Sequence, residues 1–102
     1  MDNFDTVIRN GTVATACETM AADIGIRDGR VVALGQGLPR GRDEIDARGL
    51  LVLPGGVDAH CHLDQPMGEG LRMADDFRSG TRSAACGGTT TVIPFAAQQR
   101  GQ

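Results

Sequence analysis

The sequence predicts an α/β chain with a β-rich N-terminal part, and three observations carry that reading. Short runs of alternating or β-branched residues separated by glycine turns fill positions 1–53. A strand, a helix and a second strand then follow in that order, and a Pro54-Gly55-Gly56 turn marks the change from one pattern to the other.

Residues 4–10, Phe-Asp-Thr-Val-Ile-Arg-Asn, read as a strand that closes at a Gly11 turn. Ala22, Ile24 and Ile26 alternate with Asp23, Gly25 and Arg27, the period-two pattern of a strand with one face buried. Asp28-Gly29 is a tight-turn pair, and residues 30–35 resume extended structure, so residues 21–34 form a predicted hairpin. Residues 36–43 are rich in Gly, Pro and Arg and predict a surface loop. A short strand over 43–47, a turn at Arg48-Gly49 and a strand over 50–53 stopped by Pro54 complete a small antiparallel scaffold.

Beyond Pro54 the pattern changes. Val57-Asp58-Ala59 leads a short buried strand into His60-Cys61-His62, and residues 68–74 read as loop. Residues 75–86 look helical, with Phe77, Thr81, Ala84 and Ala85 at spacings of three and four. Asp75 and Asp76 suit the positive end of that helix as cap and dipole partners, and Gly87-Gly88 suits a left-handed stop. Thr89-Thr90-Thr91-Val92-Ile93-Pro94 is a β-branched strand, and the crossover is long enough for parallel pairing with the first. Two parallel strands do not close a sheet, so the core implied by this grammar is larger than the chain.

The two histidines of the chain stand at i and i+2. In an extended strand that spacing points both imidazoles to one face, which makes half of a divalent metal site. Imidazole suits zinc, iron and nickel alike. Asp58, two residues earlier, shares that face and either accepts from an imidazole or hydrogen-bonds the turn; Cys61 alternates to the core side.

Composition narrows the function classes. A net charge of −3 with scattered arginines and only three aromatic residues excludes a nucleic-acid surface. No apolar run is long enough to span a bilayer, and the N-terminus lacks the basic and apolar regions of a signal peptide, which together point to the cytoplasm. Cys17, Cys61 and Cys86 contain no Cys-x-x-Cys pair and read as reduced, mostly buried side chains. All ten basic residues are Arg, so the chain has no lysine.

The motif from Pro54-Gly55-Gly56-Val57-Asp58-Ala59-His60-Cys61-His62, through Ala74-Asp75-Asp76-Phe77-Arg78-Ser79-Gly80-Thr81-Arg82, to Gly87-Gly88-Thr89-Thr90-Thr91-Val92-Ile93 closely resembles the N-terminal quarter of the cyclic amidohydrolases. Within them it is most similar to the dihydropyrimidinase and D-hydantoinase branch, and the likeness extends to the Ile26-Arg27-Asp28-Gly29-Arg30-Val31 hairpin. The resemblance implies that residues 1–53 are part of a β-sandwich completed by strands from a distant C-terminus. Residues 54–102 would open a metal-dependent (β/α)8 (TIM) barrel domain, truncated here. It further implies His60 and His62 as ligands of the more buried of two divalent ions, commonly zinc. A carboxylated lysine and a hydroxide bridge the ions, and later strands add two histidines and a proton-moving aspartate. The implied reaction opens dihydropyrimidines or hydantoins to N-carbamoyl amino acids, in enzymes that are commonly tetramers.

With no lysine and no third histidine, this chain alone cannot complete such a centre, so no catalytic residue is assigned within it and it is expected to be inactive in isolation, as a fragment of a longer enzyme. The loop over 63–73 corresponds to one that lines the substrate pocket. Leu63, Met67, Leu71 and Met73 suit a lid over a hydrophobic substituent or ordinary packing, and Asp64 suits a substrate contact or a solvated loop. Two alternatives stand beside this reading: a small self-sufficient β protein that binds metal or a partner without catalysis, and a fragment of a dihydroorotase, allantoinase or deaminase relative. Leu63-Asp64 after the histidines argues against dihydroorotases, where an arginine usually follows the ligand pair.

Overall fold

The computed structural model describes residues 4–101, and the chain divides into two compact units between Pro54 and Gly55. Among the described residues no helix is long and apolar enough to cross a membrane.

The first unit is one mixed sheet. Its strands are β1 (Phe4–Ala14), β2 (Thr19–Arg27), β3 (Arg30–Gly35), β4 (Gly41–Asp46) and β5 (Leu51–Val52). The order is β3-β2-β1-β4, with β5 also on β1. The predicted hairpin is present: β2 and β3 pair antiparallel across Asp28 and Gly29, both at positive φ (51° and 70°), as a tight two-residue turn requires. The expectation of a wholly antiparallel scaffold is corrected, because β4 and β5 both run parallel to β1. The reason lies in the chain path. The segment after β3 crosses to the far side of β1 and sets Gly41 beside Phe4, so β4 starts at the N-terminal end of β1 and runs with it.

Gly11 is likewise not a turn. β1 runs through it, with Asn10 at φ 61° and a register shift against β2 between Ile8 and Gly11, which is a bulge. The bulge advances the side-chain phase by one residue. Ile8 before it and Val13 after it therefore both reach the cluster built on Val13, Ala22 and Ile24.

The amide of Asn10, turned out by the bulge, donates to Asp23 Oδ1 at 3.0 Å. Asp23, placed on the open face by the alternation, is instead 7% exposed. Its other oxygen accepts from the Leu38 amide at 3.2 Å and from Arg9 at 3.3 Å. Arg9 also donates to the Leu38 and Pro39 carbonyls and to Glu44. One guanidinium thus joins β1, β2, the crossing loop and β4.

These bonds, the Asn10 amide first and then the Leu38 amide and Arg9, hold the Asp23 carboxyl below the ordinary carboxylate range against the opposing effect of burial. A carboxylate depressed in the folded state stabilises the fold above its unfolded pKa, about 3.9. That stabilisation is lost as pH falls through the lower folded value. In Asp23→Asn the acid limb of stability below about pH 4 is therefore expected to flatten. Urea midpoints measured across that range check it, and an unaltered acid limb would show that Asp23 carries none of the dependence.

Gly25 faces the Phe4 ring, and a Cβ there would lie 2.6–2.9 Å from three ring atoms. Arg27 covers the same ring at 5.8 Å. Val31 and Leu34 on β3, Leu51 on β5 and Leu53 just after it stay exposed, and an apolar recess of about 230 Å³ lies among Val13, Ile24, Val31, Leu34, Val52 and Leu53.

The second unit is β6 (Gly56–Cys61), α1 (Phe77–Cys86) and β7 (Thr89–Pro94), with β6 and β7 parallel as the crossover predicts. The helix begins at Phe77, the first of the spaced apolar positions and two residues into the expected span. Asp76 is its N-cap and accepts from the Ser79 amide at 2.7 Å, while Ser79 Oγ accepts from the Asp76 amide, a capping box. Asp75 accepts from the Ser79 hydroxyl. At the other end Gly87 has φ −89° and only Gly88 is left-handed, at φ 88°. Gly80 is buried because the Leu63 side chain lies directly on its Cα, where any Cβ would collide.

Candidate metal and substrate site

Parallel pairing brings the C-terminal ends of β6 and β7 to one edge, and the site is assembled there. The extended backbone of β6 carries His60 and, one residue past it, His62, with ring centroids 5.5 Å apart. Cys61 between them is half-buried, and its carbonyl accepts from the Phe95 amide at 3.0 Å. That bond sets the Phe95 ring beside both imidazoles. It lies edge-on to His60 at 4.7 Å and stacks on His62 at 4.6 Å with 3° between planes.

The two histidines differ in their supports. Asp58 Oδ1 accepts from the backbone amide of His60 at 3.1 Å, so of the two roles weighed for Asp58 the contact present is with the main chain, not with an imidazole. His62 Nδ1 donates to Gln65 Oε1 at 2.7 Å. An amide oxygen only accepts, so this contact calls for a proton on Nδ1, and in the neutral ring the lone pair is then on Nε2.

These groups suit a divalent ion that takes imidazole. They suit it as half a ligand set: among the described residues no three His, Cys, Asp or Glu side chains gather.

The loop after His62 folds back on the start of α1. Asp64, at φ 47°, donates its amide to the Asp75 carbonyl at 3.0 Å, and the Gln65 amide donates to Met73 Sδ at 3.2 Å. Between loop and helix lies an open cleft of about 730 Å³, lined by Asp64, Gln65, Met67, Leu71, Met73 and also by Arg72 and Asp76. Four of the five predicted loop residues line it. Leu63 does not, because it packs on Gly80. The wall is also more polar than a hydrophobic lid requires. Asp76 contributes a carboxyl held below its ordinary range, chiefly by the Ser79 amide.

Gln65 and Phe95 are the residues sequence reasoning missed as partners of the histidines. Phe95 could have been found from the parallel pairing, since it follows β7 as His62 follows β6. The Gln65 contact depends on the path of a loop. Cys17 and Cys86, expected inside, are exposed.

Residues 1–54 match the family described as urease alpha-subunit, N-terminal domain. The chain belongs to the cyclic amidohydrolase superfamily, on its hydantoinase and dihydropyrimidinase side. Its relatives are particular: it is 47% identical over 97 residues to a D-hydantoinase of Geobacillus stearothermophilus, covering 94% of this chain and 20% of the relative. An allantoinase of Escherichia coli is 43% identical over 97 residues, covering 95% of this chain and 21% of the relative. Among solved structures, a D-hydantoinase from Bacillus sp. AR9 superposes with a TM-score of 0.88 at 51% identity, covering 95% of this chain and 21% of that one. The chain therefore spans about a fifth of the length of these relatives and corresponds to their N-terminal region.

Proposed function

We propose that this chain forms the start of a zinc-dependent hydrolase that opens cyclic amides, dihydropyrimidines or hydantoins, to N-carbamoyl amino acids. Residues 1–53 form part of a β-sandwich, and residues 54–102 are the first β-α-β unit of a (β/α)8 barrel. The exposed apolar residues of the outer strands of the N-terminal sheet support the first assignment, since such a face calls for a covering layer. The second rests on the parallel pair with its histidines at the C-terminal edge, where barrels place their chemistry.

One observation carries the functional reading: His60 and His62 lie side by side against Phe95, with the hydrogen bond of His62 made through Nδ1, which turns Nε2 to the metal in the neutral ring. They would hold one divalent ion, which when bound supplies hydroxide near neutral pH and polarises the amide carbonyl. Within this chain Phe95 holds the His62 ring plane, Gln65 holds its rotation in that plane, and Asp58 holds the His60 main chain. Asp64, Met67, Leu71 and Met73 form part of the substrate wall. The bridging lysine, the remaining ligands and the proton-moving aspartate come from later strands, and the working enzyme is a cytoplasmic homotetramer.

The test is ring opening of dihydrouracil and a 5-substituted hydantoin by the zinc-loaded product of the whole reading frame that contains this sequence. Formation of the N-carbamoyl amino acid is expected. No turnover of any cyclic amide or ureide would overturn the proposal.

A further inference from the structure

We propose that Gln65 is a positioning residue for His62 that fixes which imidazole nitrogen is offered to a divalent ion; this rests on the reading of His60 and His62 as ligands. The hydrogen bond from Nδ1 to Gln65 Oε1, 2.7 Å long, commits the proton to Nδ1. A neutral histidine in water favours the opposite form, with the proton on Nε2 and no lone pair at that end. Gln65 reverses that preference.

The ring plane is set separately. Phe95 stacks on His62 within 3° of parallel, so the stack fixes the plane and the hydrogen bond fixes the rotation within it. Together they leave one direction for Nε2.

Gln65 is itself restrained, which is what allows it to restrain another group. Its side chain is half-buried, and its amide donates to Met73 Sδ at 3.2 Å. The preceding residue is tied to the Asp75 carbonyl at 3.0 Å. The same residue lines the cleft with Met67 and Leu71, so the cleft-forming loop and the imidazole pair share one side chain.

The test compares wild-type protein with Gln65→Leu and Gln65→Glu. Long-range proton–nitrogen NMR on the metal-free protein at about pH 8, above the ordinary imidazole range, reads the tautomer of His62. Calorimetric titration with zinc alone reads affinity. Wild type is expected to show the Nδ1–H form. Gln65→Leu is expected to move His62 to the Nε2–H form and to weaken zinc binding by about 10–100-fold. Gln65→Glu keeps an acceptor at the same place and is expected to restore both, which a mere packing role for residue 65 would not produce. An unchanged tautomer in Gln65→Leu overturns the proposal. If wild-type protein binds no zinc, the ligand reading fails, and the tautomer comparison alone then decides the role of Gln65.

Discussion

A Gly25→Val variant is expected to lose the cooperative unfolding transition of the N-terminal sheet. Gly25 sits in β2 between β1 and β3, and its Cα touches the Phe4 ring; a Cβ would come within 2.6 Å of one ring carbon and 2.9 Å of a third. The ring has little room to yield, since Phe4 is 9% exposed. Forcing extra carbons into such a contact costs about 1–3 kcal/mol, and expelling the ring instead forfeits about 3–5 kcal/mol of burial. A sheet of this size has about 3–8 kcal/mol in total, at about 0.05–0.15 kcal/mol per residue. Urea melts followed by circular dichroism would read the loss. Because the two side chains compete for one space, Phe4→Ala combined with Gly25→Val should cost less than the sum of the single changes. A wild-type midpoint for Gly25→Val would mean that the ring does not occupy that place.

The second large effect falls on the imidazole pair. His60→Ala and His62→Ala are each expected to weaken zinc binding by more than the about 10–100-fold that follows from losing only a supporting hydrogen bond to a ligand. In the assembled hydrolase either change is expected to bring ring opening down to background. Phe95→Ala should be milder, since it frees the ring plane without removing a nitrogen. Zinc titration and turnover, measured on the same preparations, separate these cases. If His62→Ala bound zinc as tightly as wild type, the histidines would not be the ligand pair.

The readable parts of the sequence were those whose signal is local. Asp28-Gly29 specifies its hairpin by the positive φ it tolerates, and the i, i+2 spacing of His60 and His62 places both rings together whatever lies around them. The strand, helix, strand order implied parallel pairing through the length of its crossover. What was illegible depends on partners distant in the chain. Nothing near β4 states that it runs parallel to β1, because the direction follows from where the crossing loop comes down. The alternation in β2 placed Asp23 outward correctly, but the cover over that face comes from Arg9 and Leu38. Gly11 signals a break equally well whether the chain turns or bulges. For Leu63 the pattern left cleft lining and ordinary packing open, and the absence of a side chain at Gly80, distant in the chain, is what gives it a place on the helix.

The arrangement around Arg9 bears on the order in which the sheet forms. The contacts of β1 with β2 and of β2 with β3 join near neighbours, so their closure entropy is small and they can meet early. The contact of Arg9 with Glu44 spans 35 residues and ties β4 to a meander that has no need of it to start. On loop-closure grounds the docking of β4 is therefore expected to come last, with the guanidinium of Arg9 as the latch that ends it. Until that step the edge of β1 remains open to any other strand that meets it.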